Sequence, residues 1–138
     1  MSDVITREVW KYLDGLSATH EINVNLGTIL SFGNNLFMPI EQPNIATCLT
    51  IIPYGGSSPN IDKYRQDSTF QIRLKARGIH SSMKGMQSII NDFHMNTSIC
   101  ASSPGLVKAI QSTPTIAGWE EDEYILVVSN YSVANIKL

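Results

Sequence analysis

The chain has 138 residues, 43% of them hydrophobic, a length that supports one core and argues against two full domains. Its formal charge of −2 and pI of 5.8 argue against a protein whose main work is gripping nucleic-acid phosphates, which takes a basic surface. The longest apolar runs, such as Ile125-Leu126-Val127-Val128, fall far short of the ~20 residues of a membrane-spanning helix, so no membrane partner is expected.

The opening Met1-Ser2-Asp3-Val4 carries no basic segment followed by an apolar core, so no signal or transit peptide is read there and an intracellular site of synthesis is expected. Val4, Ile5, Val9, Trp10, Leu13 and Leu16 recur at helical spacing, which predicts a helix over 3–15, capped by Ser2 or Asp3 and ending near Gly15. Residues 17–44, with Gly27, Gly33, Asn34, Asn35, Pro39 and Pro43, read as loop with one or two short strands. They hold no glycine-rich phosphate-binding motif. The β-branched residues of 45–52 predict a strand that stops at Pro53-Tyr54-Gly55-Gly56-Ser57-Ser58-Pro59.

Residues 69–77 alternate most regularly. Phe70, Ile72, Leu74 and Ala76 fall on one face and Gln71, Arg73, Lys75 and Arg77 on the other, which predicts a strand with one core side and one wet side. After Gly78, the spacing of Met83, Met86, Ile89, Ile90 and Phe93 predicts a second amphipathic helix over 80–95, capped by Ser81 or Ser82, with its methionines as core filler. A strand over 106–112, a turn-rich stretch around Pro114 and Gly118, and a final strand over 124–133 complete the chain. Strands and helices without repeated crossovers imply a single α+β domain over 1–138: a mainly antiparallel sheet with two amphipathic helices packed on one face.

Candidate chemistry is sparse. Cys48 and Cys100 read as buried free thiols, and neither they nor His20, His80 and His94 show metal-ligand spacing, so no metal or cofactor is expected. Consecutive acids at Glu120, Glu121, Asp122 and Glu123 point in different directions and read as a solvated turn. Ser57 and Ser58 lack the strained elbow of a serine nucleophile. Lys63, Arg65, Arg73, Lys75 and Arg77 place half of the ten basic residues within 15 positions. Three readings stay open for them: a solvated sheet face, a register device meeting the acidic segment of a neighbouring subunit, or loose contact with DNA. Charged residues are only 16% of the chain, with 15 Ser, 9 Thr and 10 Asn in their place. A surface so short of charge suits burial against other subunits.

The string Ile51-Ile52-Pro53-Tyr54-Gly55-Gly56-Ser57-Ser58-Pro59, followed by Phe70-Gln71-Ile72-Arg73-Leu74-Lys75-Ala76-Arg77 and a helix, resembles the minor capsid and tail-terminator family of long-tailed bacteriophages over about residues 45–95. The resemblance implies a tail-terminator-like virion protein that is not an enzyme. It would form a homohexameric ring on the head-proximal end of the tail tube, stop tube polymerisation and offer the head-joining surface. The implied partners are further copies of itself, the tail tube protein, the head connector proteins and the genomic DNA passing through the lumen. Its location would be the neck of the virion, after assembly in the host cytoplasm. The candidate assembly contacts are Tyr54, Gly55, Gly56, Arg73, Lys75, Arg77, Glu120 and Glu121. A head-tail connector or other minor capsid protein is the alternative, ahead of a nucleic-acid-binding module or a small hydrolase.

Overall fold

The computed structural model describes residues 2–38, 47–54, 65–100, 105–119 and 124–136. Among the described residues three helices and six strands follow in the order α1 (Ser2–Asp14), α2 (Glu21–Leu26), β1 (Leu36–Phe37), β2 (Cys48–Tyr54), β3 (Arg65–Arg77), α3 (Ile79–Phe93), β4 (Gly105–Ala109), β5 (Thr115–Trp119) and β6 (Tyr124–Ile136). The fold is α+β as expected. Its sheet is mixed, because β1 runs parallel to β2 while every other pairing is antiparallel.

The sheet runs β1-β2-β3-β6-β4, with β5 also on β6. β3 and β6 pair along their whole length, from Arg65↔Ile136 to Arg77↔Tyr124. Side chains opposite each other share a face, so Leu49, Ile51, Phe70, Ile72, Leu74, Val127, Tyr131 and Val133 form one apolar surface. Ile5, Val9 and Leu13 of α1 and Met86, Ile89, Ile90 and Phe93 of α3 join it in one core. These are the stripes that helical spacing predicts. Phe93 sits at the centre, with ring centroids 5.3 Å from Tyr131 and 5.5 Å from Tyr12, while Phe70 stacks on Tyr131 at 5.0 Å.

Four expectations need correction. Residues 17–44 contain a third helix. His20 caps α2 by accepting from the Ile22 N–H at 3.1 Å, and Gly27 ends it at φ 74°, a left-handed geometry that suits glycine. With six residues, two of them asparagine, α2 is too short to announce itself by periodicity. Neither Ser81 nor Ser82 caps α3: the cap is Gly78, at φ 89°, and Ser82 lies buried inside the helix. The second correction covers both helix starts, since α1 likewise begins at Ser2, which places the expected caps Ser2 and Asp3 within it.

The third correction concerns the far edge. The expected strand over 106–112 ends at Ala109, and the turn-rich stretch after it contains β5. Ala109 pairs with Tyr131 and Thr115 with Val128, so the five residues 110–114 stand opposite two, 129–130. β4 and β5 are thus one edge strand interrupted by a wide excursion, which ends at the buried Pro114, a residue with no N–H to offer a ladder.

Fourth, the polar side of β3 is not wet: Gln71 is 9% and Lys75 6% exposed, Arg73 is half-buried, and only Arg77 reaches solvent freely. β3 lies mid-sheet. Cys48 and Leu126 therefore flank Lys75, and Thr50 and Val128 flank Arg73. These neighbours cover the aliphatic stems of the basic residues.

Packing of α2 on α3 depends on Gly85. A Cβ there would stand 2.8 Å from Ile22 Cδ1, and Ile22 is fully buried. Gly85→Val is expected to destabilise the protein by about 1–3 kcal/mol through overpacking, read as a lowered urea midpoint at unchanged slope; an unchanged midpoint would show that α2 does not need this close approach.

Candidate functional site

Residues 51–54 of the first string that carries the resemblance, and the whole of the second, Phe70–Arg77, lie on paired antiparallel strands, β2 and β3. Leu49↔Leu74, Ile51↔Ile72 and Tyr54↔Thr69 set their register, and residues 55–64 connect them. Tyr54 is the last residue of β2. Gly55, Gly56, Ser57, Ser58, Lys63, Glu120, Glu121, Asp122 and Glu123 lie outside the described residues. Arg73, Lys75 and Arg77 share one side of β3, as alternation requires, but at very different depths.

Arg77 is exposed, and its guanidinium lies 5.0 Å from the centroid of the Tyr124 ring, a cation–π contact. Residues 120–123 end one position before Tyr124, the β6 partner of Arg77. The pairing of Arg77 with Tyr124 was not legible in the sequence, where the two stand more than forty residues apart.

A second cluster escaped sequence reasoning. The Tyr12 hydroxyl donates to Asp92 Oδ2 at 3.4 Å, and His20 Nε2 lies 2.6 Å from the same oxygen. Because His20 Nδ1 accepts from the Ile22 N–H, the imidazole proton resides on Nε2, which donates to Asp92. A histidine oriented by an aspartate is part of many acid–base sites. Here its remaining nitrogen is committed to capping α2, so it cannot accept a nucleophile's proton without unwinding that turn. The cluster instead ties together α1, the start of α2 and the end of α3.

Further polar side chains hold the segment between α1 and β2. Buried Asn23 donates to Ser17 O at 2.8 Å and accepts from Leu30 N at 3.0 Å, Asn35 accepts from Ser31 N at 2.8 Å, and Asp14 accepts from Phe32 N at 2.9 Å. Cys48 and Cys100 are both buried and unbridged, as expected. Among the described residues no group of three or more His, Cys, Asp and Glu side chains is arranged to hold a metal ion, and no helix is long and apolar enough to cross a membrane. No protein-family model and no curated protein matches the chain.

Three groups, the buried Cys100 and Tyr131 and the partly buried Tyr12, favour their neutral forms. Burial, reinforced by the charge of Glu8, pushes the Cys100 thiol up to about 12. Burial also raises Tyr131 well above its ordinary value, against a small lowering from the Ser129 hydroxyl. Tyr12 is raised by burial first and by Asp92 second. In each case the native state holds its proton at a pH where the unfolded chain has released it, so their contribution is complete below the unfolded value and is lost as pH rises. For Cys100 the loss runs from about pH 9, the ordinary thiol value, to about 12, at about 1.4 kcal/mol per pH unit. Denaturant unfolding at pH 8 and pH 10.5 is expected to show this alkaline fall and a shallower one in Cys100→Ala. Equal slopes in the two proteins would remove Cys100 as its source.

Proposed function

We propose that the chain is a structural virion protein of a long-tailed bacteriophage, a tail terminator that closes into a ring on the head-proximal end of the tail tube. The observation that carries the reading is a strand pairing: residues 51–54 of the first string and Phe70–Arg77 of the second lie on neighbouring strands, β2 and β3, of an α+β sheet with helices on one face. Motif, strand pairing and fold class agree.

Surface chemistry supports it. Phe32 at 42% exposure bridges to Leu36 of β1 at one edge of the sheet, while Ile110 at 55% and Trp119 at 65% lie on the β4–β5 edge. A head-to-tail ring joins two different surfaces of one subunit, and rotation decides whether the chain of contacts closes. Exposed apolar side chains at opposite ends of one sheet meet that requirement. A closed ring seated on the last tube layer covers the positions where the next layer would add, so growth stops by occupancy and no turnover is needed. In this reading Tyr54, Gly55, Gly56, Arg77 and the acidic Glu120 and Glu121 supply assembly contacts. Arg73 and Lys75, lying deeper, act chiefly within the subunit wall.

The reading requires a species several times the 15.3 kDa monomer mass, either in solution or on isolated tail tubes, measurable by sedimentation. Phage lacking the protein are expected to carry overlong tails in electron micrographs. Tails of normal length that fail to join heads would make it a connector instead, and a monomer both alone and with tube protein would overturn the assembly reading.

A further inference from the structure

A groove of about 480 Å³ opens between the C-terminal end of α3 and the interruption of the β4–β5 edge. Ile90, Ala109 and Ile110 supply its apolar wall, and Asn91, His94, Gln111 and Ser112 its polar one. Asn91, His94 and Gln111 have each spent an acceptor inside the protein. Gln87 Nε2 donates to the backbone carbonyl of Ser112 at 3.1 Å, which identifies that end of Gln87 as its nitrogen, and the same nitrogen donates to Asn91 Oδ1 at 3.1 Å. Asn91 is left with its amide N–H groups. His94 Nδ1 accepts from the Ala109 backbone N–H at 3.1 Å, so a neutral His94 carries its proton on Nε2. Gln111 Oε1 accepts from Asn130 Nδ2 at 3.3 Å, while Asn130 Oδ1 takes Gln71 Nε2 at 3.1 Å, leaving Gln111 its N–H groups as well.

Three exposed residues therefore offer this groove donors, and among the described residues no Lys, Arg, Asp or Glu lines it. A carboxylate is the complementary ligand. It accepts only, has room for several donors on its two oxygens, and gains charge-assisted hydrogen bonds from neutral N–H groups. A phosphate dianion would bring twice the charge into a groove that has no cation to meet it. The isoleucines suit the two methylenes that carry a glutamate carboxylate. We infer that the groove is a docking site for a glutamate side chain in an acidic segment of a partner polypeptide. The site is independent of the ring reading and of the strand pairing that carries it.

Its test is a titration of the full-length, isotope-labelled protein with acetyl-Glu-Glu-Asp-Glu amide, a peptide with the sequence of residues 120–123, and with its Gln-Gln-Asn-Gln counterpart. The side-chain resonances of Asn91, Gln111 and His94 are followed by NMR. The acidic peptide is expected to shift them saturably and the neutral one to leave them in place. Asn91→Asp and Gln111→Glu keep the oxygens that Gln87 and Asn130 use, so the fold is retained. Each turns a donor facing the ligand into a carboxylate and is expected to weaken binding at least about tenfold. Equal binding of the two peptides, undiminished binding to both variants, or no saturable shift with the acidic peptide would overturn the proposal. So would free glutamate binding as tightly as the peptide, since the groove would then belong to a small molecule.

Discussion

The pairing of β3 with β6 is the constraint on which the rest of the molecule depends. The two strands lie far apart in the chain, yet they match residue for residue from Arg65↔Ile136 to Arg77↔Tyr124. Closing so long a loop costs entropy before any contact repays it. The repayment is concentrated where Phe70 and Tyr131 face each other and Phe93 packs over both. With that pair in place, β2 adds to the free side of β3, and β4 and β5 add to the free side of β6. The helices then have an apolar floor to cover.

Around this platform the protein uses neutral hydrogen-bonding side chains where many proteins use charge. Asn23, Asn35 and Asn96 each bond to backbone groups of neighbouring loops, and His20 spends one nitrogen on a helix cap and the other on Asp92. Short side chains of this kind hold irregular backbone in place and lose little rotamer freedom on ordering. The same choice accounts for the low charge content of the chain, since the polar surface is rich in Ser, Thr and Asn. A surface of that composition is inexpensive to bury against a neighbour, and the proposed assembly role draws on that property.

The interrupted edge bears on assembly in a second way. A long, regular edge strand templates open-ended addition of further strands. Here β4 and β5 are separated by an excursion of five residues and β5 carries its own register shift, so no long uninterrupted ladder is offered on that side. The same excursion walls the groove beside α3. One local feature thus breaks the edge and creates a recess with a chemistry of its own.

Residues close together in the chain announced their structure. The alternation from Phe70 to Arg77, the stripes of α1 and α3, and the apolar centre of β6 each repeat within a few residues, so period alone separates strand from helix. The burial of Lys75 and Gln71 was also signalled, though indirectly: the unbroken run Ile125-Leu126-Val127-Val128 marks a strand covered on both faces, and β6 is the neighbour that flanks them. The helix α2, the divided edge, the Tyr12–His20–Asp92 cluster and the donor-lined groove left no such local trace. The last three are made by groups distant in the chain that the fold brings together, while α2 is too short for its period to show. In sequence, then, lay the periodicity that decides which elements form and which faces they bury. Which side chains share a hydrogen bond, and which atoms remain free for a partner, was decided by tertiary packing, because a donor or acceptor is spent only once the fold has brought another group within reach.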